Sequence, residues 1–340
     1  MENGNFRISK RNMMQEVTTV SEILKEEILE GFSSNPKYIP SKYFYDDEGS
    51  RIFQKIMRMD EYYLTDCEYE IFENKKENIL NKIRLDGEGI ELIELGAGDG
   101  LKTSVLIEHF INQEVNFNYI PVDISEQAIE SLVNKMKGKF PSIHLNEKIG
   151  DYFEIMNNLK SYGNFRRLAL FLGSNIGNYS IEESTYFFQQ LSSVMNEGDM
   201  VLTGFDLVKD PEIILKAYND PGGYTMEFNM NLLKRLNREL GANFNPGNFL
   251  HYPVYDPLEK AAKSYLISKE SQEVYFKELD KTFSFNKWES IFTEISRKFT
   301  ESDIESLAHI TGYRVEKNFY DRRNYFVSSL WVKGRGFQSK

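Results

Sequence analysis

A buried strand followed directly by a glycine-rich turn constrains this chain most. The segment GIELIELGAGDGLKT, residues 89–103, contains a run, Ile90–Leu95, that is typical of a parallel strand covered on both faces. Gly96, Gly98 and Gly100 follow at alternate positions, and a helical pattern, KTSVLIEHF, starts at once. Glycines at such a place allow a sharp turn and a close approach of the backbone to a bound ligand.

A second strand and an acidic residue complete this pattern. The strand FNYIPV leads to Asp123, whose carboxylate can accept hydrogen bonds from a ribose diol. The dinucleotide fingerprint is G-x-G-x-x-G, whereas here the third glycine comes one residue early and the acidic Glu94 precedes the turn. E-x-G-x-G-x-G resembles the first motif of S-adenosylmethionine-dependent methyltransferases. The pattern therefore favours a methyl donor over NAD.

Length and charge exclude several classes of protein. A chain of 340 residues can bury a large core and is expected to form two lobes. A net charge of −11 argues against a nucleic-acid or an anionic membrane partner. The single cysteine, Cys67, excludes an internal disulfide and favours the cytoplasm. We find neither a membrane-spanning run nor a signal peptide, and we predict that residues 1–19 are flexible.

Helices and strands alternate from the first glycine turn to residue 207. Ser125 is expected to cap the helix SEQAIESLVNKMKGKF, and a third strand is predicted around His144–Ile149. Asp151 follows that strand, where an adenine amino group can be met. RRLALFLGSNIGN and MVLTGFDL are the fourth and fifth strands, separated by a helix with a Ser180 capping box. These units predict a doubly wound α/β sheet with ligands outside the strand carboxyl ends.

The alternation breaks between residues 208 and 298 and resumes at Thr300. A capped helix and two closing strands, YRVEKNFYD and YFVSSLWVK, then end the chain in the manner of a Rossmann-like methyltransferase sheet, whose last strand is antiparallel. We therefore predict a discontinuous cofactor domain at 67–207 and 299–340. Residues 20–66 and 208–298 are predicted to form an inserted α+β substrate lobe.

Tyrosines and histidines offer further candidates for a site. Tyr45, Tyr62 and Tyr63 flank a helical segment, either as core packing or on a lid that carries their rings and hydroxyls into a pocket. The residues alone leave both readings open. The four histidines are scattered without paired ligand spacing, so no metal site is predicted.

Beyond these patterns, the chain resembles the histidine Nα-methyltransferase family of ergothioneine biosynthesis over about residues 20–333. The shared stretches are YFYDDEGSRIFQKI, DEYYLT, ELGAGDGLKT, PVDIS, LFLGSNIGN, GFDLVKDPEIILKAYND, FNMNLLKRLNREL and TEISRKF. The resemblance implies trimethylation of the α-amine of histidine to hercynine with S-adenosylmethionine. The partner is then a small amino acid, and we expect a monomer that binds neither nucleic acid nor membrane.

The same resemblance implies roles for individual residues. Gly96, Lys102, Asp123 and Asp151 fall where the family holds the cofactor, beside the open turn at Gly98. The substrate positions are Tyr45 near the α-nitrogen, Gly173 and Asn178 beside the reacting amine and the carboxylate, Tyr62 and Tyr218 at the carboxylate, and Glu294 and Ser296 at the imidazole. From spacing alone, the E-x-S pair would be an exposed strand face.

One departure from the family concerns the side-chain pocket. Lys263-Ser264 stands where family members carry a Glu-Met step, and serine leaves space and adds a polar group where methionine would pack a ring. The same catalysis on another amino acid, such as tryptophan or a derivative, is therefore the alternative to histidine. A cofactor-binding regulatory protein without turnover is a third hypothesis, which the intact Asn178, Tyr218 and glycine turn disfavour.

Overall fold

The computed structural model describes residues 20–83, 89–159 and 165–334. The segment 1–19, predicted to be flexible, lies outside the described residues. Within them, a small unit comprises 20–58, 214–256 and 261–295. A large unit comprises the described parts of 59–213, 257–260 and 296–334.

Helices and strands alternate between residues 90 and 206, as predicted. The helices are α1 Val20–Ser33, α2 Asp47–Ile56, α3 Tyr63–Lys82, α4 Thr103–Asn112, α5 Glu126–Lys139, α6 Tyr152–Asn158, α7 Ile181–Ser193, α8 Pro211–Tyr218, α9 Tyr224–Leu240 and α10 Glu301–Ile310. The strands are β1 Lys37–Tyr38, β2 Ile90–Leu95, β3 Phe117–Asp123, β4 Lys148–Ile149, β5 Arg166–Phe171, β6 Met200–Asp206, β7 Phe249–Asp256, β8 Ala261–Ser268, β9 Gln272–Phe276, β10 Lys281–Phe285, β11 Ser290–Arg297, β12 Tyr313–Tyr320 and β13 Phe326–Lys333.

The large unit is built on a seven-stranded sheet in the order β12-β13-β6-β5-β2-β3-β4. The strands from β6 to β4 pair in parallel, and β13 runs antiparallel to both of its neighbours. All six residues of β2 are buried, as expected for a central parallel strand covered on both faces. The predicted doubly wound sheet with an antiparallel closing strand is confirmed.

The third predicted strand is much shorter than expected. Only Lys148–Ile149 forms a strand, and Leu145 contributes an isolated bridge to Tyr119. The Tyr119 amide donates to the His144 carbonyl and the Tyr119 carbonyl accepts from the Asn146 amide, which forms this bridge, and pairing resumes only between Val122 and Lys148. This edge of the sheet nevertheless ends where predicted, directly before Asp151.

The local helix signals are confirmed. The Ser125 hydroxyl accepts from the Ala128 amide at 3.2 Å and caps α5. Ser180 and Glu183 form the expected capping box of α7. α3 begins at Tyr63 and lies in the large unit. The Tyr63 hydroxyl donates to the buried Asp206 carboxylate of β6 at 2.9 Å, which joins the start of this helix to the sheet.

The small unit combines helices with strands, as predicted for the inserted segment. Its main sheet has the order β1-β11-β8-β7, and β9 and β10 form a separate antiparallel hairpin. Phe32 of α1 lies at the centre of an aromatic cluster, with ring centroids 5.3–6.1 Å from those of Phe244, Phe276, Phe283 and Phe285. Among the helices in the described part of the chain, none is long and apolar enough to cross a membrane.

Candidate active site

The three glycines after β2 have different surroundings although all have positive φ, at 74°, 52° and 62°. A Cβ on Gly96 would lie 2.8 Å from the Tyr152 hydroxyl oxygen, and one on Gly100 would lie 2.3 Å from Leu132 Cδ1. A Cβ on Gly98 would meet no atom within 4 Å. Gly96 and Gly100 therefore allow close packing, whereas Gly98 leaves open space that a ligand can fill.

The predicted acid lies directly against this turn. Asp123 Oδ2 accepts from the Gly98 amide at 3.4 Å, and Oδ1 accepts from the Ser125 amide at 3.0 Å. The half-buried carboxylate keeps further lone pairs for a diol. Asp151 lies at the neighbouring strand end, where the Gly150 amide donates to the Asp123 carbonyl. It is exposed, and its Oδ1 caps α6 by accepting from the amides of residues 153 and 154.

Glu94, the acid before the turn, serves the fold. It is 3% exposed, and its carboxylate accepts from the hydroxyls of Thr103 and Tyr119. Burial raises the pKa of Glu94 to about 7, and the two hydroxyl donors and Lys102 oppose that rise. The bonds join β2 to the start of α4 and to β3, so Glu94 fixes the base of the turn rather than offering a ligand contact.

Lys102 and Gly173, predicted on separate turns, meet at one buried carboxylate. Glu68 of α3 is fully buried, and its Oε2 accepts from Lys102 Nζ at 2.5 Å and from the Gly173 amide at 2.8 Å. Sequence reasoning missed Glu68. Its signal was present, because Leu64, Glu68 and Ile71 repeat at helical spacing on the buried face of α3.

The turn after β5 combines left-handed backbone with close packing. Gly173 and Ser174 have φ of 78° and 56°, and a short 3-10 helix, Asn175–Asn178, follows. A Cβ on Gly177 would lie 2.9 Å from the Arg297 carbonyl oxygen, so this glycine is needed for the close approach. Asn178 ends the short helix and is half-buried. The predicted Gly173 and Asn178 are thus held on one tight turn.

A buried ion cluster lies behind that turn. The Asp206 amide donates to Ser174 Oγ at 2.9 Å, and the Asp206 carboxylate binds Lys298, Lys209 and the Tyr63 hydroxyl. Asp206 is 0% exposed and Lys298 only 2%, so both charges depend on each other. For Tyr63, the core interpretation of the aromatic segment is correct. Tyr62 precedes α3, is half-buried, and donates its amide to the Met59 carbonyl.

Ser296 is hydrogen-bonded to Lys298, a member of this ion cluster. Ser296 is 4% exposed, and its Oγ lies 2.9 Å from Lys298 Nζ. Glu294 is half-buried and stands two positions earlier on β11, and side chains two residues apart point to the same face of a strand. The interpretation of this pair as an exposed strand face is wrong, because neither side chain is exposed.

In the small unit, four predicted residues lie together. Ser264 Oγ, fully buried, donates to Glu294 Oε2 at 3.2 Å. Desolvation of its hydroxyl raises the pKa of Tyr45, and Glu294 and Tyr218 add to that rise. As a whole, Tyr45 is 42% exposed. The departure at Ser264 thus does more than leave space, because its hydroxyl binds the carboxylate expected to meet the substrate ring.

A glycine turn that opens beside an acid, on a parallel sheet closed by an antiparallel strand, is typical of S-adenosylmethionine-dependent methyltransferases. The described residues include no group of three or more His, Cys, Asp or Glu side chains placed to hold a metal ion. Residues 24–333 match the family described as "Histidine-specific methyltransferase, SAM-dependent", and the chain belongs to that family. It is an S-adenosylmethionine-dependent amino-acid N-methyltransferase, as the sequence resemblance implied.

Curated relatives cover nearly the whole chain. Histidine N-alpha-methyltransferase of Mycobacterium tuberculosis is 34% identical over 91% of this chain and 95% of its own length. The protein of the same name from Mycolicibacterium smegmatis is 32% identical over 93% and 96%. Ergothioneine biosynthesis protein 1 of Schizosaccharomyces pombe is 26% identical over 85% of this chain, which spans 39% of that longer protein.

Proposed function

We propose that this enzyme transfers methyl groups from S-adenosylmethionine to the α-amino group of L-histidine and continues to the trimethylated product, hercynine. The observation that carries the proposal is Glu294, a half-buried carboxylate that Ser264 holds at 3.2 Å, with the Ser296 hydroxyl two positions further on β11. A neutral imidazole offers one N–H donor and one acceptor nitrogen. Glu294 can accept from the first, and Ser296 can donate to the second.

We assign the amino-acid end of the substrate to tyrosines and to the turn after β5. In this assignment Tyr62, Tyr218 and Asn178 bind the carboxylate, while Tyr45 and Gly173 lie at the α-amine. The raised pKa of Tyr45 keeps its phenol protonated at neutral pH, so it acts as a hydrogen-bonding group rather than as a base. Each of these contacts fixes the orientation of the amine.

Cofactor binding falls to the turn after β2 and its neighbours. The open side of Gly98 fits the ligand, Asp123 and Asp151 fit the hydroxyl and amino groups of a nucleoside, and the Lys102 ammonium fits a carboxylate. The bound cofactor supplies an electrophilic methyl group on a sulfonium. We propose that the large unit is the cofactor-binding unit and that the small unit is the substrate lobe.

The chemistry demands alignment more than acid–base catalysis. A free α-amine titrates near about 7.7–8.0, so a fraction is neutral at physiological pH and partial desolvation increases it. Holding nitrogen in line with the methyl carbon can contribute roughly 7–11 kcal/mol. Tyr45, Gly173 and Asn178 are the residues we propose for this alignment. No metal is required for such a displacement.

The second candidate is methylation of a larger aromatic amino acid such as tryptophan. Ser264 favours it, because a small side chain stands where the family pattern has methionine. Mass spectrometry after incubation with S-adenosylmethionine and all twenty amino acids distinguishes the two. We expect histidine to gain one, two and three methyl groups, and histamine, which lacks the carboxylate, to react poorly.

Glu294→Ala tests the ring assignment directly. Loss of a hydrogen bond to a charged group should lower kcat/KM for histidine by at least about tenfold and relax discrimination against tryptophan. Competition assays with both amino acids measure this. A wild type that prefers tryptophan, with Glu294→Ala indifferent, would contradict the histidine proposal and leave the N-methyltransferase class intact.

We also propose that the enzyme is a cytoplasmic monomer that binds neither nucleic acid nor membrane. The net charge of −11 and the buried, unbridged Cys67 support this. Size-exclusion chromatography with light scattering tests the oligomeric state.

A further inference from the structure

Lys298 is a buried cation whose partners include a residue proposed to touch the substrate. It follows β11, is 2% exposed, and donates its amide to the Lys260 carbonyl at 2.7 Å. Its Nζ lies 2.8 Å from Asp206 Oδ2 and 2.9 Å from Ser296 Oγ. Burying an ammonium is costly unless it is paired, so a lysine at this buried position indicates a specific role for its charge.

The chemistry of the ammonium fixes the direction of its bond to Ser296. A lysine ammonium has three donors and no acceptor, so Ser296 Oγ must accept in this contact. The single hydroxyl proton of Ser296 therefore points away from Lys298 toward another acceptor. An ammonium that donates to a hydroxyl also polarises it, which makes that hydroxyl a stronger donor.

We propose that Lys298 is a positioning residue that sets Ser296 as the hydrogen-bond donor to the substrate ring. This inference rests on the proposed function, in which Ser296 meets the imidazole. The ring nitrogen facing Ser296 must then carry a lone pair, while the one facing Glu294 carries the hydrogen. The pair selects a neutral imidazole in one tautomer and rejects rings that place C–H or N–H against Ser296.

Lys298 can be replaced without leaving the buried Asp206 carboxylate unpaired, because Asp206 has other partners. Its carboxylate also binds Lys209 and accepts from the Tyr63 hydroxyl at 2.9 Å. Without Lys298, Asp206 thus keeps a cation and a hydroxyl donor. Lys209 is the matched control, because it pairs with the same carboxylate and bonds to Tyr63 and the Leu207 carbonyl, with no contact to Ser296 among its hydrogen bonds.

The experiment compares Lys298→Met with Lys209→Met on two substrates. These are histidine and thienylalanine, whose ring has no nitrogen to accept from Ser296. Lys298→Met should lower kcat/KM for histidine by about tenfold and leave that for thienylalanine within about threefold. Lys209→Met should change both substrates by the same factor. Thermal unfolding of each variant shows how much stability each change costs.

A double-mutant cycle with Ser296→Ala separates positioning from general damage. Ser296→Ala alone should reproduce the loss of discrimination, and adding Lys298→Met to it should have no further effect on the ratio. An equal loss on both substrates, or an undiminished effect of Lys298→Met in the Ser296→Ala background, would overturn the inference. The substrate preference of the wild-type enzyme tests the proposed function separately. If the wild type prefers another amino acid, the cycle on that substrate still measures the coupling of Lys298 to Ser296.

Discussion

Two turns, at the carboxyl ends of β2 and β5, are held in their conformations by different physical means. The turn after β2 is made of glycines, and its ligand-facing position, Gly98, meets no protein atom where a Cβ would stand. The turn after β5 is held from behind by other segments, since the buried Glu68 carboxylate accepts from the Gly173 amide and the main-chain amide of Asp206 donates to Ser174 Oγ. One turn is shaped by the absence of side chains, and the other is bonded to a buried carboxylate and a main-chain amide from distant segments.

The difference teaches where specificity can be built. A turn of glycines presents main-chain groups, which suit a cofactor shared by many enzymes. A turn and strand fixed by buried ions present side chains in set orientations, which suits the recognition of one substrate. Each variant below should affect one turn and spare the other.

Gly98→Val should have the largest effect, a complete loss of S-adenosylmethionine binding. The branched side chain would fill the space beside the turn, and φ of 52° adds local strain. Isothermal titration calorimetry measures the affinity. Unchanged affinity would refute the placement of the cofactor at this turn.

Gly100→Val provides the contrast for that experiment. Its Cβ would lie 2.3 Å from Leu132 Cδ1 and 2.5 Å from Met136 Cε, so it should mainly lower the melting temperature by disturbing α5. If Gly98→Val destabilised the protein as much as Gly100→Val, loss of binding at Gly98 would have to be attributed to unfolding.

Glu68→Ala should come next and should act on stability. It leaves Lys102 and the Gly173 amide without their shared carboxylate, which should cost about 3 kcal/mol in the free energy of unfolding. Asp123→Ala is the matched variant, because it removes the carboxylate beside the other turn. It should cost less than about 1 kcal/mol in stability but weaken cofactor binding by about 1.5–3 kcal/mol. Urea unfolding and calorimetry on both variants give the two numbers, and the reverse pattern would contradict the comparison.

The first turn could be predicted from sequence because its information is local. A buried strand, three glycines, a helix and Asp123 after the next strand follow in order, and the structure places Gly98 3.4 Å from that acid. The doubly wound sheet was predictable for the same reason, since apolar runs and caps recur at short range. The length of β4 was not, because it depends on pairing with Tyr119 of another strand.

The support of the second turn could not be predicted, because it is assembled from segments far apart in the chain. The helical spacing of Glu68 indicates a buried position, but nothing in the sequence identifies its partners, and only the fold brings Glu68 and Asp206 behind one turn. Gly204 shows this dependence: a Cβ there would lie 2.1 Å from Glu68 Oε1, yet nothing in MVLTGFDL indicates a carboxylate partner. For Ser264, the sequence suggested extra space and an added polar group, but not that its hydroxyl would bind Glu294.

The last comparison concerns Glu94, a buried carboxyl group at the base of the glycine turn. Burial raises its folded-state pKa to about 7, above an ordinary value near about 4.3. The folded state therefore binds more protons between these values, so this contribution to stability is full below about pH 4.3 and is lost as pH rises to about 7. The slope of this pH dependence is at most about 1.4 kcal/mol per pH unit.

Glu94→Gln should remove this pH-dependent contribution, so the difference in unfolding free energy between wild type and variant should fall across that window and level off above it. Tyr119→Phe, which removes a donor that lowers this pKa, should move the window upward. Urea unfolding from pH 4.5 to 8 measures the curves. A difference that stays flat across the window would mean that Glu94 remains ionised beneath the turn, and the two turns would then both depend on buried charge.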